Sequence, residues 1–214
     1  EIKNYKDRIQ EFAGLTGLSL DQKPLVNPEN LVKPVKEFLV DLPDSGYSRV
    51  EMGDTVALID RAAVGPDYLP GHAHADTLSF ELSLFGQRVV VNSGTSVYGT
   101  GEQRQLERGT AAHSTLVVDG ENSSEVWGGF RVARRARGFD RVQREEDGIV
   151  KLSACQDGYK RLAGKPLHCR ELLFEDEQLT ISDTVTGRGV HAVVSVLPLH
   201  PDVKVVTVDT DKVV

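Results

Sequence analysis

From residue 44 onward, apolar and polar residues alternate with a period of two in short runs, and that period confines the chain to strands. The clearest run covers residues 77–84, where Leu78, Phe80, Leu82 and Leu84 alternate with Thr77, Ser79, Glu81 and Ser83. A Phe85-Gly86-Gln87 turn and the apolar Val89-Val90-Val91 follow, which together predict a hairpin. Further hairpins are expected over residues 47–59 around Met52-Gly53-Asp54, over 139–153 around Asp147-Gly148, and over 169–185 around Glu175-Asp176-Glu177. Short strands of this spacing favour a large antiparallel β-sandwich over any βαβ arrangement.

Residues 1–43 read differently. Ile2, Tyr5, Ile9 and Phe12 recur at near-helical spacing, and Asn27-Pro28 offers an N-cap and a first-turn proline to a second helix that Pro34 interrupts. The expected division is a short helical segment over 1–43 and a sandwich over 44–214. The chain opens on Glu1 and closes on Val213-Val214 just after a turn-like Asp-Thr-Asp-Lys, so it reads as a fragment of a longer protein. A hydrophobic content of 39% is enough for one sizeable core, and no run approaches the roughly 20 apolar residues of a membrane span. Membrane insertion is therefore not expected. The net charge of −7 argues against general nucleic-acid binding, which needs a basic face. Cys155 and Cys169 are too few for a disulfide framework. They read as small core residues or as one bridge between neighbouring strands.

Chemistry concentrates just before the clearest strand, in Gly71-His72-Ala73-His74-Ala75-Asp76. If the extended conformation begins there, His72, His74 and Asp76 point to one side. Imidazole is both a common zinc ligand and the side chain best suited to proton transfer near neutral pH, so such a face admits a metal site, a catalytic site or a chance cluster. Asn92-Ser93-Gly94-Thr95 follows a strand that pairs back toward the histidines, and Ala112-His113-Ser114-Thr115 opens another apolar strand. Taken singly, Asn92 reads as a turn cap and His113 as a hydrogen-bonded strand-end histidine.

Four ordered blocks together resemble the C-terminal β-sandwich domain of the heparinase II/III-like polysaccharide lyases. They are Pro70-Gly71-His72-Ala73-His74-Ala75-Asp76, Asn92-Ser93-Gly94-Thr95-Ser96-Val97-Tyr98, Ala112-His113-Ser114-Thr115-Leu116-Val117-Val118-Asp119-Gly120 and Glu125-Val126-Trp127-Gly128-Gly129-Phe130. The resemblance covers roughly residues 44–201, and it makes the helical start the end of an α/α toroid domain that is otherwise outside the chain. It implies β-elimination on a uronate-containing polysaccharide such as a glycosaminoglycan or alginate: the C5 proton leaves, the bond to the C4 oxygen breaks, and an unsaturated uronate remains. By position, His72 resembles the catalytic histidine, while His74, Asn92 and His113 resemble the ligands of a Zn2+ ion that ties strands together and fixes His72. The family commonly has Asp where this chain has Asn92, a departure that leaves the metal more weakly held, completed by Asp76 or water instead, or lost. The base is typically a toroid Tyr, and neither Tyr68 nor Tyr98 is assigned that role. The resemblance also implies a periplasmic or secreted protein and allows a homodimer.

Arg131, Arg134, Arg135 and Arg137 form a basic stripe, with Arg131 and Arg135 on one parity of an expected strand. Such a stripe suits an anionic glycan, or else a solvated face paired with Glu145-Glu146-Asp147. Arg104 and Arg108 are expected nearer the cleft as substrate contacts, and Trp127 either stacks on a sugar or wedges into the sandwich. Two other readings compete with the lyase. One is a non-catalytic glycan-binding or structural sandwich in exopolysaccharide handling, and the other a cupin-type metalloenzyme using His72, His74, Glu81 and His113. Glu81 lies too far beyond His74 for the usual cupin pattern, and the Pro-x-Gly that normally precedes the later histidine is missing.

Overall fold

The structure, a computed structural model, describes residues 18–20, 38–175 and 178–205. Two antiparallel sheets face each other. The first has five strands in sequential order: β2 (Phe38–Leu42), β3 (Tyr47–Met52), β4 (Thr55–Asp60), β5 (Phe80–Leu84) and β6 (Gln87–Val90). The second has four: β10 (Gly138–Glu146), β11 (Ile149–Gln156), β12 (Leu167–Glu175) and β13 (Gln178–Thr186). One apolar core fills the gap, with Val50, Ile59, Phe80 and Leu84 from the first sheet meeting Val150, Leu152, Leu172 and Phe174 from the second. The alternation read from the sequence is what builds it: along β11 and β12 every second residue is buried. The chain is an antiparallel β-sandwich.

The expected hairpins appear with their turns. Gly53, Gly86 and Gly148 take positive φ at the three tight turns where a Cβ would be strained. The strand expected from Thr77 starts instead at Phe80, because Leu78 adopts φ +67° in a reverse turn closed by the Ser79 N–H on the Asp76 carbonyl, 2.9 Å. The expected helices over 1–43 lie almost wholly outside the described residues. Within that span, Leu18–Leu20 is strand β1, paired with β15 (Val203–Val205), and Phe38–Leu42 is an edge strand of the first sheet, so the sandwich begins before residue 44.

Between β6 and β10 the chain leaves the sheets. It forms a seven-residue helix, α1 (Glu102–Arg108), then β7 (Leu116–Val118), which pairs with β14 (Val193–Ser195), and a small hairpin of β8 (Val126–Trp127) and β9 (Arg131–Val132). These excursions pack on the 70–79 segment at one end of the sandwich. The bridge between neighbouring strands is present: Cys155 and Cys169 stand directly opposite on β11 and β12 and are disulfide-bonded.

A buried ion pair joins this end to the second sheet. Arg170 on β12 faces Asp183 on β13 and binds it through both arms of the guanidinium, at 2.8 and 2.7 Å. His168, fully buried, donates from Nε2 to the same carboxylate at 2.7 Å. The remaining Arg170 nitrogen, Nη1, donates to the carbonyls of Leu78, at 2.9 Å, and Ser114. Removing one partner of a buried pair leaves an uncompensated charge, which typically costs about 3–5 kcal/mol. Arg170→Met is accordingly expected to lose about that much stability, read as a lower urea midpoint with an unchanged m-value.

Candidate functional site

The 70–79 segment is held without being a strand. Pro70 at its start and the Ala73 N–H on the Pro70 carbonyl, 3.1 Å, wind Pro70–His72 into a single 3-10 turn. The turn breaks the alternation expected for the histidines: His72 is exposed, whereas His74 is 8% exposed. They do not share a face, which corrects the extended reading of this segment. Downstream, the Ala75 N–H donates to the Arg108 carbonyl at 2.9 Å, and the Ala75 carbonyl accepts from Thr110 Oγ1 at 2.8 Å. The Thr77 carbonyl accepts from Thr115 Oγ1 at 3.0 Å. Two segments distant in sequence, 71–79 and 104–115, are thereby stitched together.

That stitching brings His113 to His74. The ring centroids are 5.2 Å apart, and the ligand-type atoms of His74, Asp76 and His113 all lie within 4.8 Å of one another. His113 is fully buried, and among the described residues neither of its ring nitrogens has a hydrogen-bond partner. Leaving a buried polar group unpaired costs about 1–3 kcal/mol, and a bound ligand is one way of recovering it. Burial lowers the pKa of both histidines to about 4, helped at His74 by His113, so both rings are neutral near pH 7, the form that binds metal. Burial raises the pKa of Asp76 against the pull of His74, and burial and the Asp76 charge raise that of Asp60 beside it.

The other expected site residues fall in different places. Asn92 is half-buried and its Oδ1 accepts the Gly94 N–H at 2.9 Å, the turn-cap role, while Thr95 from the same loop puts its Oγ1 3.2 Å from His74 Nε2. Arg104 and Arg108, expected to contact substrate, are fully buried braces. Arg104 donates to the carbonyls of Gly129, at 3.2 Å, and Gly71, at 3.1 Å, and to Thr95 Oγ1 at 3.1 Å. Arg108 donates to those of Ala73, at 3.0 Å, Gly128, at 3.2 Å, and Arg131, at 3.1 Å. Four residues apart on α1, they share the inward face, and most of their donors go to backbone carbonyls, with Arg104 Nη1 turned instead to Thr95 and His74.

Trp127 is not wedged into the sandwich. It is 49% exposed, opposite Arg131 on the β8–β9 hairpin, with the guanidinium 4.7 Å from the ring centroid. Arg135 pairs with Asp67 at 2.8 Å and Arg134 with Glu125 rather than with the Glu145 cluster. Glu81 is bound to Arg88 at 2.7 Å on the first sheet, so the cupin ligand set does not assemble. The structure also adds residues the sequence reading left without a role. Tyr98 meets the His72 ring edge-on, centroids 5.9 Å apart, and stacks on Phe130 at 6.0 Å, with both aromatics more than half exposed. The neighbouring Gly99 and Gly129 were the available signal, since a Cβ on Gly129 would fall 2.6 Å from the Gly99 carbonyl oxygen.

Fold and site together define an antiparallel β-sandwich module carrying a buried His-Asp-His cluster beneath an exposed histidine flanked by aromatics. The heparinase II/III-like, C-terminal family matches residues 35–214, and the chain belongs to it. Among solved structures it is similar to a heparinase III (the BT4657 gene product), at 26% identity and a TM-score of 0.55 over 70% of this chain and 22% of that one. It has the fold of the heparan sulfate lyase HepC from Pedobacter heparinus, at 22% identity and a TM-score of 0.54, again over 70% of this chain and 22% of that chain. No curated protein matches it. The chain thus spans about a fifth of the length of the solved enzymes it resembles.

The depressed histidines set a pH dependence with a definite sign. The unfolded chain takes up protons at His74 and His113 below about pH 6.5, whereas the folded chain does so only near pH 4. Their contribution is complete above pH 6.5 and is lost as the pH falls toward 4. Asp60 and Asp76, with raised pKa values, act in the opposite sense, their contribution fading as the pH rises. Urea unfolding of metal-free protein across this range isolates the histidine share: His113→Gln is expected to lose stability less steeply than the parent between pH 6.5 and 4.

Proposed function

We propose that this chain is the sandwich half of a polysaccharide lyase that cleaves an anionic, uronate-containing polysaccharide by β-elimination. Family membership supports the class, and the solved heparinase III and heparan sulfate lyase make a heparin-type glycosaminoglycan the first substrate to test. The observation that carries the reading is the division of the His-x-His pair: His72 stands exposed beside two aromatics, while His74 turns inward to His113 and Asp76. His72 is the side chain that reaches substrate. It neutralises the uronate carboxylate, making the C5 proton acidic, or passes that proton, while a toroid group completes the acid-base pair.

His74 and His113 would hold a Zn2+ ion together with a third ligand. The ion's contribution when bound is structural, fixing the two histidine segments and with them the His72 turn. The neutral, unpartnered His113 ring fits that role. Tyr98, Phe130 and Trp127 offer exposed faces to sugar rings, Arg131 adds positive charge, and the paired Arg135 adds less. The Cys155–Cys169 bond suits an oxidising compartment, consistent with a periplasmic or secreted enzyme. No helix among the described residues is long and apolar enough to cross a membrane. The exposed aromatics also favour a second reading, a glycan-binding module without turnover, and the same experiment separates the two.

In the full-length protein, His72→Ala is expected to lower kcat by about 10²–10⁴-fold, read from the ultraviolet absorbance of the unsaturated uronate, with bound zinc unchanged. Normal turnover by this variant would remove His72 from the reaction. Glycan binding without turnover by the parent protein would favour the second reading.

A further inference from the structure

We infer that Asp76, and not Asn92, supplies the anionic third ligand of a divalent metal bound by His74 and His113. The inference deepens the reading above and rests on one part of it, that the buried histidines hold a metal.

The first argument is placement. The ligand-type atoms of His74, Asp76 and His113 lie within 4.8 Å of one another, whereas tetrahedral zinc with bonds of about 2.0–2.2 Å spaces its ligand atoms about 3.4 Å apart. Closing the difference takes shifts of about 1 Å or less per residue. Asp76 is held for this. Its carbonyl caps the turn through Ser79, and the Leu78 N–H donates to the Asp60 carbonyl at 3.0 Å. Arg170 grips the Leu78 carbonyl, and the same nitrogen grips the Ser114 carbonyl next to His113. One guanidinium therefore spaces the Asp76 turn from the His113 turn.

The second argument is which acceptors are free. His113 presents a fully buried ring with both nitrogens unpartnered among the described residues. The Asp76 carboxylate accepts its own backbone N–H, a bond that leaves lone pairs for a metal. The Asn92 amide oxygen caps the turn that leads the chain out of β6 by accepting the Gly94 N–H, and as an uncharged group it brings no anion to a metal.

The third argument is charge. Arg104 Nη1 lies 3.3 Å from His74 Nε2, and Arg108 adds a second buried guanidinium nearby. Two neutral imidazoles and an amide would leave a dication beside these cations with no anion among its ligands. A dication in such surroundings needs a carboxylate, and Asp76 is the carboxylate in the cluster. An amide at position 92 costs the site nothing when the anion comes from position 76.

The test uses the full-length protein, stripped with a chelator and reloaded with zinc, its affinity read by competition with a chromophoric chelator. Asp76→Asn is expected to weaken zinc by at least about 100-fold, as His113→Gln does, and to abolish the zinc-induced rise in Tm, while Asn92→Ala stays within about twofold of the parent. Asp76→Cys answers for any folding defect in the neutral variant. Loaded with cobalt(II), it is expected to show a sulfur-to-cobalt charge-transfer band that Asn92→Cys lacks. Zinc retained in Asp76→Asn but lost in Asn92→Ala, or a charge-transfer band only in Asn92→Cys, overturns the inference and leaves the metal reading standing. A parent protein that binds no zinc overturns both, and the assay of His72→Ala still decides the lyase reading separately.

Discussion

The guanidinium of Arg170 is the interaction on which the rest of the site depends. It is buried, it neutralises Asp183 through two parallel bonds, and its third nitrogen bridges the carbonyls of Leu78 and Ser114. Those carbonyls belong to neither sheet. They lie in two irregular turns, one following Asp76 and the other following His113, whose backbone groups have no ladder to satisfy them. A planar cation with five donors can serve a carboxylate and two carbonyls at once, which a lysine in the same place could not. Leu78 sits in the left-handed region with its carbonyl in this grip and its own N–H on the Asp60 carbonyl. The regular part of the sandwich thereby fixes the geometry of its irregular end.

The same end buries two further guanidinium groups. Arg104 and Arg108 reach Gly71, Ala73, Gly128, Gly129 and Arg131, closing α1, the histidine segment and the β8–β9 hairpin into one body. Each guanidinium replaces lost hydration with carbonyl oxygens, the compensation that makes burial of a charge tolerable. The consequence is a positive environment around His74, beside which burial raises the pKa of Asp76 and Asp60.

What was legible in the sequence is what local chemistry decides. Alternation from Phe80 to Leu84 and turns at Gly53, Gly86 and Gly148 are set by residues within one hairpin, and the structure keeps them. The four motif blocks likewise marked the end of the sandwich where the histidines gather. What was not legible depends on contacts across long separations. Arg104 and Arg108 read as substrate contacts near the cleft because nothing nearby in sequence announces the carbonyls they bind. Arg170, Asp183 and His168 come together only once the β12–β13 register is known. The even spacing of His72, His74 and Asp76 misled most directly, since it suggests a shared strand face. Pro70 and Gly71 wind a turn there that a period-two reading does not include.

That turn separates two demands that a single strand face would have set against each other. A histidine that works on a polymer must be reachable, whereas a histidine that holds a metal for structural purposes gains from being dry, neutral and immobile. On one strand face, His72 and His74 would share one environment, either both wet or both buried. The 3-10 turn places them two residues apart in sequence yet on opposite sides of the surface, with Tyr98 and Phe130 marking the outside and His113 the inside. The exposed ring is therefore tied, through two peptide units, to a pair of buried rings held by packing.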